Sequence, residues 1–264
     1  MKGYVILSLF IIVTVFCPPS KVFSLYPFQN VTPAAGQTTK TQCVASPPKP
    51  QALSASINET LSVYGTINLS NSSIKLNPFM ILPGSKYTLR PANSPFSIDL
   101  LDSNGNALAR YPFDPKVYTS IPPNSNKTAL ISEAVPYVPC VKQIVISKEN
   151  KELASRKVDD YAPKVKIIYP IGGETLAKTI TIRWQANDPD SNNLTYYVLY
   201  STDAGRSWQS VASGIKNTEL RINLATLPGT TLGLFRIIAT DGVNTGISDS
   251  NSTFNVPATS STAG

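Results

Sequence analysis

Thr179-Ile180-Thr181-Ile182-Arg183-Trp184-Gln185-Ala186 is the stretch that decides the fold. Ile180, Ile182, Trp184 and Ala186 fall on one side, Thr181, Arg183 and Gln185 on the other. A period of two belongs to a strand with one face in a core, because successive side chains leave opposite faces. Trp184 is expected to pack between two sheets. Further short runs flank it at 165–169, 195–201, 208–213, 220–224, 233–240 and 252–256. Gly172-Gly173, Asp203-Ala204-Gly205, Pro228-Gly229 and Asp241-Gly242 separate them as turn signals. Seven short strands at this spacing predict a two-sheet sandwich over 162–257, with a small polar tail at 258–264.

The same period runs upstream. Leu61, Val63, Gly65, Ile67 and Leu69 alternate with polar residues, as do Phe96, Ile98 and Leu100. Asn104-Gly105 reads as a two-residue hairpin turn. A second hairpin is expected across Lys148-Glu149-Asn150-Lys151. Ten prolines between 78 and 139 rule out long helices. Residues 55–161 are therefore predicted as a first β-sandwich-like domain, large enough for its own core. The fold class is all-β, two sandwiches joined at Asp159-Asp160-Tyr161-Ala162-Pro163.

The 264 residues include no histidine. Ser-His-Asp and Cys-His catalysis and every His-liganded metal or haem site are thereby excluded. The net charge of +7 invites a nucleic-acid reading, but four lysines before residue 55 supply much of it. The stretches 55–160 and 161–264 carry only +2 and +1, with no basic run interleaved with aromatics. Nucleic acid is not an expected partner.

Residues 1–24 read as a signal peptide. Lys2 precedes an apolar run from Tyr4 to Phe16, shorter than the roughly 20 residues of a membrane span. Val22 and Ser24 suit cleavage before Leu25; the alternative is a leader retained as a membrane anchor. Residues 25–54 form a Thr/Pro-rich spacer. Cys43 and Cys140 remain after cleavage, either as one disulfide or as two buried thiols. Seven Asn-x-Ser/Thr sequons, at Asn30, Asn58, Asn68, Asn71, Asn126, Asn193 and Asn251, fit an exported glycoprotein. An extracellular or cell-surface location follows as the expectation.

Several runs carry a resemblance. Pro170-Ile171-Gly172-Gly173-Glu174, Ile182-Arg183-Trp184, Asp188-Pro189-Asp190, Leu227-Pro228-Gly229 and Ala239-Thr240-Asp241-Gly242 look like successive landmarks of fibronectin-type-III/Ig-like modules. Ser201-Thr202-Asp203-Ala204-Gly205-Arg206-Ser207-Trp208 resembles the Asp-box hairpin, S-x-D-x-G-x-x-W. Such modules, with a preceding β-domain, close large exported proteins of archaea and some bacteria. The resemblance implies a non-catalytic appendage, sometimes attached to a secreted hydrolase.

In the Asp box, Ser201, Asp203, Gly205 and Trp208 are expected to staple a turn: Asp203 accepts backbone N–H groups and Trp208 is buried beneath. Asp188, Asp190, Asn192 and Asp241 offer hard oxygen ligands for Ca²⁺, or else simple Asx turns. Tyr196 and Tyr200 share a strand face opposite Tyr197, and whichever set is exposed could stack on sugars. Ser72-Ser73-Ile74-Lys75 has the S-x-x-K spacing but lacks the companion motifs of Ser-Lys enzymes. No other cofactor is suggested. The expected function is an exported, non-enzymatic envelope adhesion or scaffold protein binding protein or glycan. The alternative is an accessory substrate-targeting module of a secreted hydrolase system.

Overall fold

The structure is a computed structural model and describes residues 59–84, 93–117 and 128–258. The expected leader, the spacer, Cys43 and the sequon residues Asn30, Asn58 and Asn126 lie outside the described residues. Among those described, regular structure is all strand apart from one 3-10 turn at Leu224–Thr226. No helix among them is long and apolar enough to cross a membrane.

The first sandwich packs two antiparallel sheets. In one, β1 (Glu59–Asn68) pairs along its length with β7 (Thr128–Pro136), which pairs with β6 (Lys116–Val117). The other edge of β1 is shared by two short strands, β2 (Ile74–Leu76) and β3 (Met80–Pro83). The facing sheet runs β5-β4-β8-β9, from β4 (Phe96–Leu101), β5 (Ala107–Phe113), β8 (Gln143–Lys148) and β9 (Lys151–Lys157). Leu61, Val63, Ile67, Ile98, Leu100, Ile131, Ile144 and Ile146 meet between the sheets without solvent contact. The period-two residues thus form the core that their alternation demanded.

The hairpins exchange roles relative to expectation. Between β4 and β5 only Gly105 has positive φ, and Asp102 Oδ1 accepts from the N–H groups of Asn104 and Asn106 at 2.8 and 2.9 Å. This is a longer, Asp-clamped turn with a register shift after Leu100, not a two-residue one. The two-residue turn lies between β8 and β9, where Glu149 and Asn150 take φ 51 and 64. Positive φ at both central residues is the type I′ requirement.

The second sandwich is β10 (Lys164–Tyr169), β11 (Thr179–Asn187) and β14 (Glu219–Asn223) against β13 (Gln209–Ile215), β12 (Thr195–Ser201), β15 (Thr230–Thr240) and β16 (Thr245–Asp249). β17 (Phe254–Val256) joins the other end of β15. The strand order, first-second-fifth facing fourth-third-sixth-seventh, is that of an Ig-like sandwich whose fourth strand has crossed to the second sheet. Trp184 is 3% exposed and meets Tyr196 edge-on at 5.5 Å. Tyr200, Phe235 and Phe254 meet ring to ring in the same core. β16 was absent from the expected series because its sequence, TGISD, lacks a continuous apolar face.

The sandwiches are stitched together at the gap between β2 and β3. There, in place of a strand partner, Phe79 N–H donates to Gly242 O at 2.8 Å and Phe79 O accepts from Thr240 Oγ1 at 2.9 Å. Ile81 N–H continues the contact to Thr245 Oγ1 at 2.9 Å. Val243, at the tip of the β15–β16 turn, is 2% exposed and belongs to the core of the first sandwich.

Candidate functional site

The expected oxygen ligands converge at the end of the second sandwich that faces this seam. The β11–β12 loop carries Asp188 and Asp190, and the β15–β16 turn carries Asp241. Each local fold follows from Asx chemistry: Asp188 Oδ1 accepts from Asp190 N–H at 3.2 Å, and Asp241 Oδ1 from Val243 and Asn244 N–H at 2.7 and 2.8 Å. The joint is held by the same groups. Asp190 Oδ2 accepts from Asp160 and Tyr161 N–H at 2.9 and 3.2 Å. Asn244 Nδ2 donates to Asp159 O and Tyr161 O at 3.1 and 2.9 Å, and Lys142 pairs with Asp160.

The electrostatics are one-sided. Asp188 is 8% exposed, and its Oδ2 has no hydrogen-bond donor. Desolvation, then its contact with the Asp190 carboxyl, and then the charge of Asp241 raise it above the usual carboxylate range. At Asp190 desolvation is outweighed by hydrogen bonding to Asp188 and to the joint's N–H groups, so it sits below that range. Desolvation also raises Asp241, whose Oδ2 is likewise buried without a donor. Arg156 lies beside Asp241 with its guanidinium 4.9 Å from the Phe79 ring, and desolvation lowers it. The structure thus groups Asp188 with Asp190 and brings Asp241 into their field, while Asn192 lines the adjoining cleft. Among the described residues no three carboxylate or cysteine side chains form a metal cage.

That cleft encloses about 400 Å³ and is lined by Asn187, Asp188, Ser191, Asn192, Asn193 and Lys216, with Tyr196 behind them. Lys216 Nζ is held by Asn193 Oδ1, Thr195 Oγ1 and Leu194 O at 2.7, 2.8 and 3.2 Å. The residues that sequence reasoning missed are Phe79, Arg156, Val243 and Lys216. Only Val243 gave a signal: an apolar side chain at the tip of a polar turn.

Around Ser201, Asp203 and Gly205 the chain turns on side-chain hydrogen bonds, with Trp208 beside the turn. Asp203 Oδ1 accepts from Ser207 N–H at 2.8 Å and Oδ2 from Ser207 Oγ at 2.6 Å. Ser201 Oγ donates to Asp203 at 2.7 Å and accepts from Gly205 N–H at 2.8 Å. Gly205 takes φ 84, and a Cβ there would press on the Trp208 ring at 3.3 Å. Trp208 is only half-buried. It lies on the outer face of the sheet under the Arg236 guanidinium, 4.1 Å from its ring centroid, and Arg236 is bidentate to Asp249 at 2.6 and 2.7 Å. The ring is capped by a cation rather than by core.

Other expected sites resolve differently. Tyr196 and Tyr200 are 5% and 0% exposed, so they do not form a sugar-stacking face; Tyr200 OH donates to Pro228 O at 2.9 Å. Ser72 has φ 59 in the turn before β2, not the helical setting that S-x-x-K needs. Of the described sequon residues, Asn71, Asn193 and Asn251 are exposed and Asn68 is half-buried. Cys140 stands at φ 70 between β7 and β8 and is not a free thiol.

No family model matches the chain, and no curated protein matches it. Among solved structures it is similar to a chain described under "Structural basis for Dscam isoform specificity", at 9% identity and TM-score 0.25. That match covers 61% of this chain and 37% of the other. It is also similar to a three-Ig structure of titin domains I67–I69 in an E-to-A variant, at 12% identity and TM-score 0.18, covering 69% of this chain and 59% of that one. At such TM-scores these likenesses carry no argument; the strand order makes the second unit an Ig-like β-sandwich.

Proposed function

We propose that this is an exported, non-enzymatic protein of the cell envelope or extracellular space, an adhesion or scaffold component that binds protein or glycan. The observation that carries the reading is the seam. Val243 enters the core of the first sandwich while Phe79 bonds through both its N–H and its C=O to the second. Contacts made through main chain and core fix the orientation of the two sandwiches, as a spacer or adhesive element requires. The leader-like N-terminus, the sequons and the engaged Cys140 thiol support export. Retention of the leader would add a membrane attachment.

A second reading, a substrate-targeting accessory of a secreted hydrolase system, is favoured by the amide-rich cleft at Asn187 and Asn192, whose 400 Å³ admits a sugar unit. Intact cells producing the tagged full chain, treated with a membrane-impermeant biotin reagent, test the first reading. The tagged chain is expected in the labelled surface or medium fraction. Recovery only from lysed cells would contradict it.

A further inference from the structure

We infer that Asp188 and Asp190 hold a divalent cation of the Ca²⁺ class at the joint between the two sandwiches. Asp188 is more than nine-tenths buried, yet its Oδ2 faces no donor. Its charged neighbours are carboxylates, Asp190 and Asp241, and it makes side-chain contact with the first. A buried carboxylate oxygen that faces no donor is costly unless a cation offsets its charge. The nearby basic groups are engaged elsewhere. Lys216 is held by three oxygens at the β12 end of the cleft, and Arg156 donates to Asn77 O at 3.3 Å, with its charge felt on the Asp241 side.

The chemistry of the site selects the ion. Every side chain that could contribute beside Asp188 and Asp190 is an oxygen donor, including the Asn187 and Asn192 amides and the Ser191 hydroxyl of the same cleft. Oxygen-only sets with few charges suit Ca²⁺ at the millimolar levels found outside cells, with waters completing the shell. Its effect is mechanical. Asp190 already accepts from the Asp160 and Tyr161 N–H groups, so an ion on Asp190 ties the β11–β12 loop to the joint. Asp241 and Asp159 add negative field from the seam side. The choice of Ca²⁺ rests on the export proposed above, whereas ion binding itself is read out in vitro wherever the protein works.

The test is thermal melting of the full chain, stripped with chelator and dialysed, at pH 7.5 with added CaCl2 or with chelator. Calcium at ten times its dissociation constant is expected to raise Tm by about 3–6 °C. Asp188→Asn and Asp190→Asn should each abolish that shift. Asp188→Asn should also melt no lower than the wild type in chelator, because it removes a like-charge contact; this shows that a lost shift is not a lost fold. No shift up to 10 mM or so CaCl2, well above extracellular affinities, would overturn the inference. So would a Tm that rises equally on mild acidification and is indifferent to calcium, which would assign the gap to a shared proton.

Discussion

At the scale of single residues, charged and aromatic side chains have effects that their surroundings set. Asp99 is 4% exposed on a sheet face and is met by Arg110 at 2.6 and 3.3 Å and by Ser147 Oγ at 2.9 Å. Arg110→Ala leaves that carboxylate without its cation and should cost about 1–3 kcal/mol in chemical denaturation, discounted because Arg110 itself is half-exposed. Asp203 is held down to about 2 by the Ser207 hydroxyl and N–H. A lowered folded-state value means stability that is present above the unfolded value near 4 and lost as pH falls from about 4 to about 2. Asp203→Asn should therefore flatten the acid limb of a pH–Tm profile in that window; an unchanged slope would contradict the staple. The two tryptophans should differ. Trp184→Ala empties core and should cost about 3–5 kcal/mol, whereas Trp208→Ala removes a half-exposed ring under Arg236 and should cost about 1–2 kcal/mol.

At the scale of elements, the strands were readable and the turns only partly so. Ile180, Ile182 and Trp184 announced β11, and Leu61, Val63 and Ile67 announced β1, because burial of one face writes a period of two into the sequence. Asn104-Gly105 misled because Asp102 captured the N–H groups of Asn104 and Asn106 and imposed a longer turn. Glu149-Asn150 adopts the type I′ turn without glycine, held by Glu149 N–H on Pro95 O at 2.7 Å. Such strain at a non-glycine residue should be relieved by Glu149→Gly, raising stability by about 0.5–1 kcal/mol. A loss of stability would mean that the Glu149 side chain contributes more than its backbone strain costs. Of the candidate site, the Asx turns at Asp188 and Asp241 were legible from residue type. Their approach to one another was not, since it depends on how the β11–β12 loop and the β15–β16 turn meet at the joint.

At the scale of the whole molecule, the half-buried Tyr137 and the buried Tyr200 link pH to both sandwiches. Tyr137 and Tyr200 are each pushed up to about 12, first by burial and, for Tyr137, also by Glu59 and Asp241. A raised folded-state value means stability that is full below the unfolded value near 10 and lost as pH rises from about 10 toward 12. Alkaline titration should therefore loosen both sandwiches in that window, seen as tyrosinate absorbance rising together with loss of structure. The relation of the sandwiches to each other was hidden in the sequence. The 159–163 run reads as a plain joint, while the contact is made by Val243 and Phe79, far apart in sequence and unmarked by charge. Calorimetry of the full chain beside Val243→Asp tests that contact most directly. If the sandwiches are one unit, the wild-type chain melts in a single transition and the variant splits into two, the first at lower temperature. Two independent transitions in the wild type, unmoved by the substitution, would contradict it.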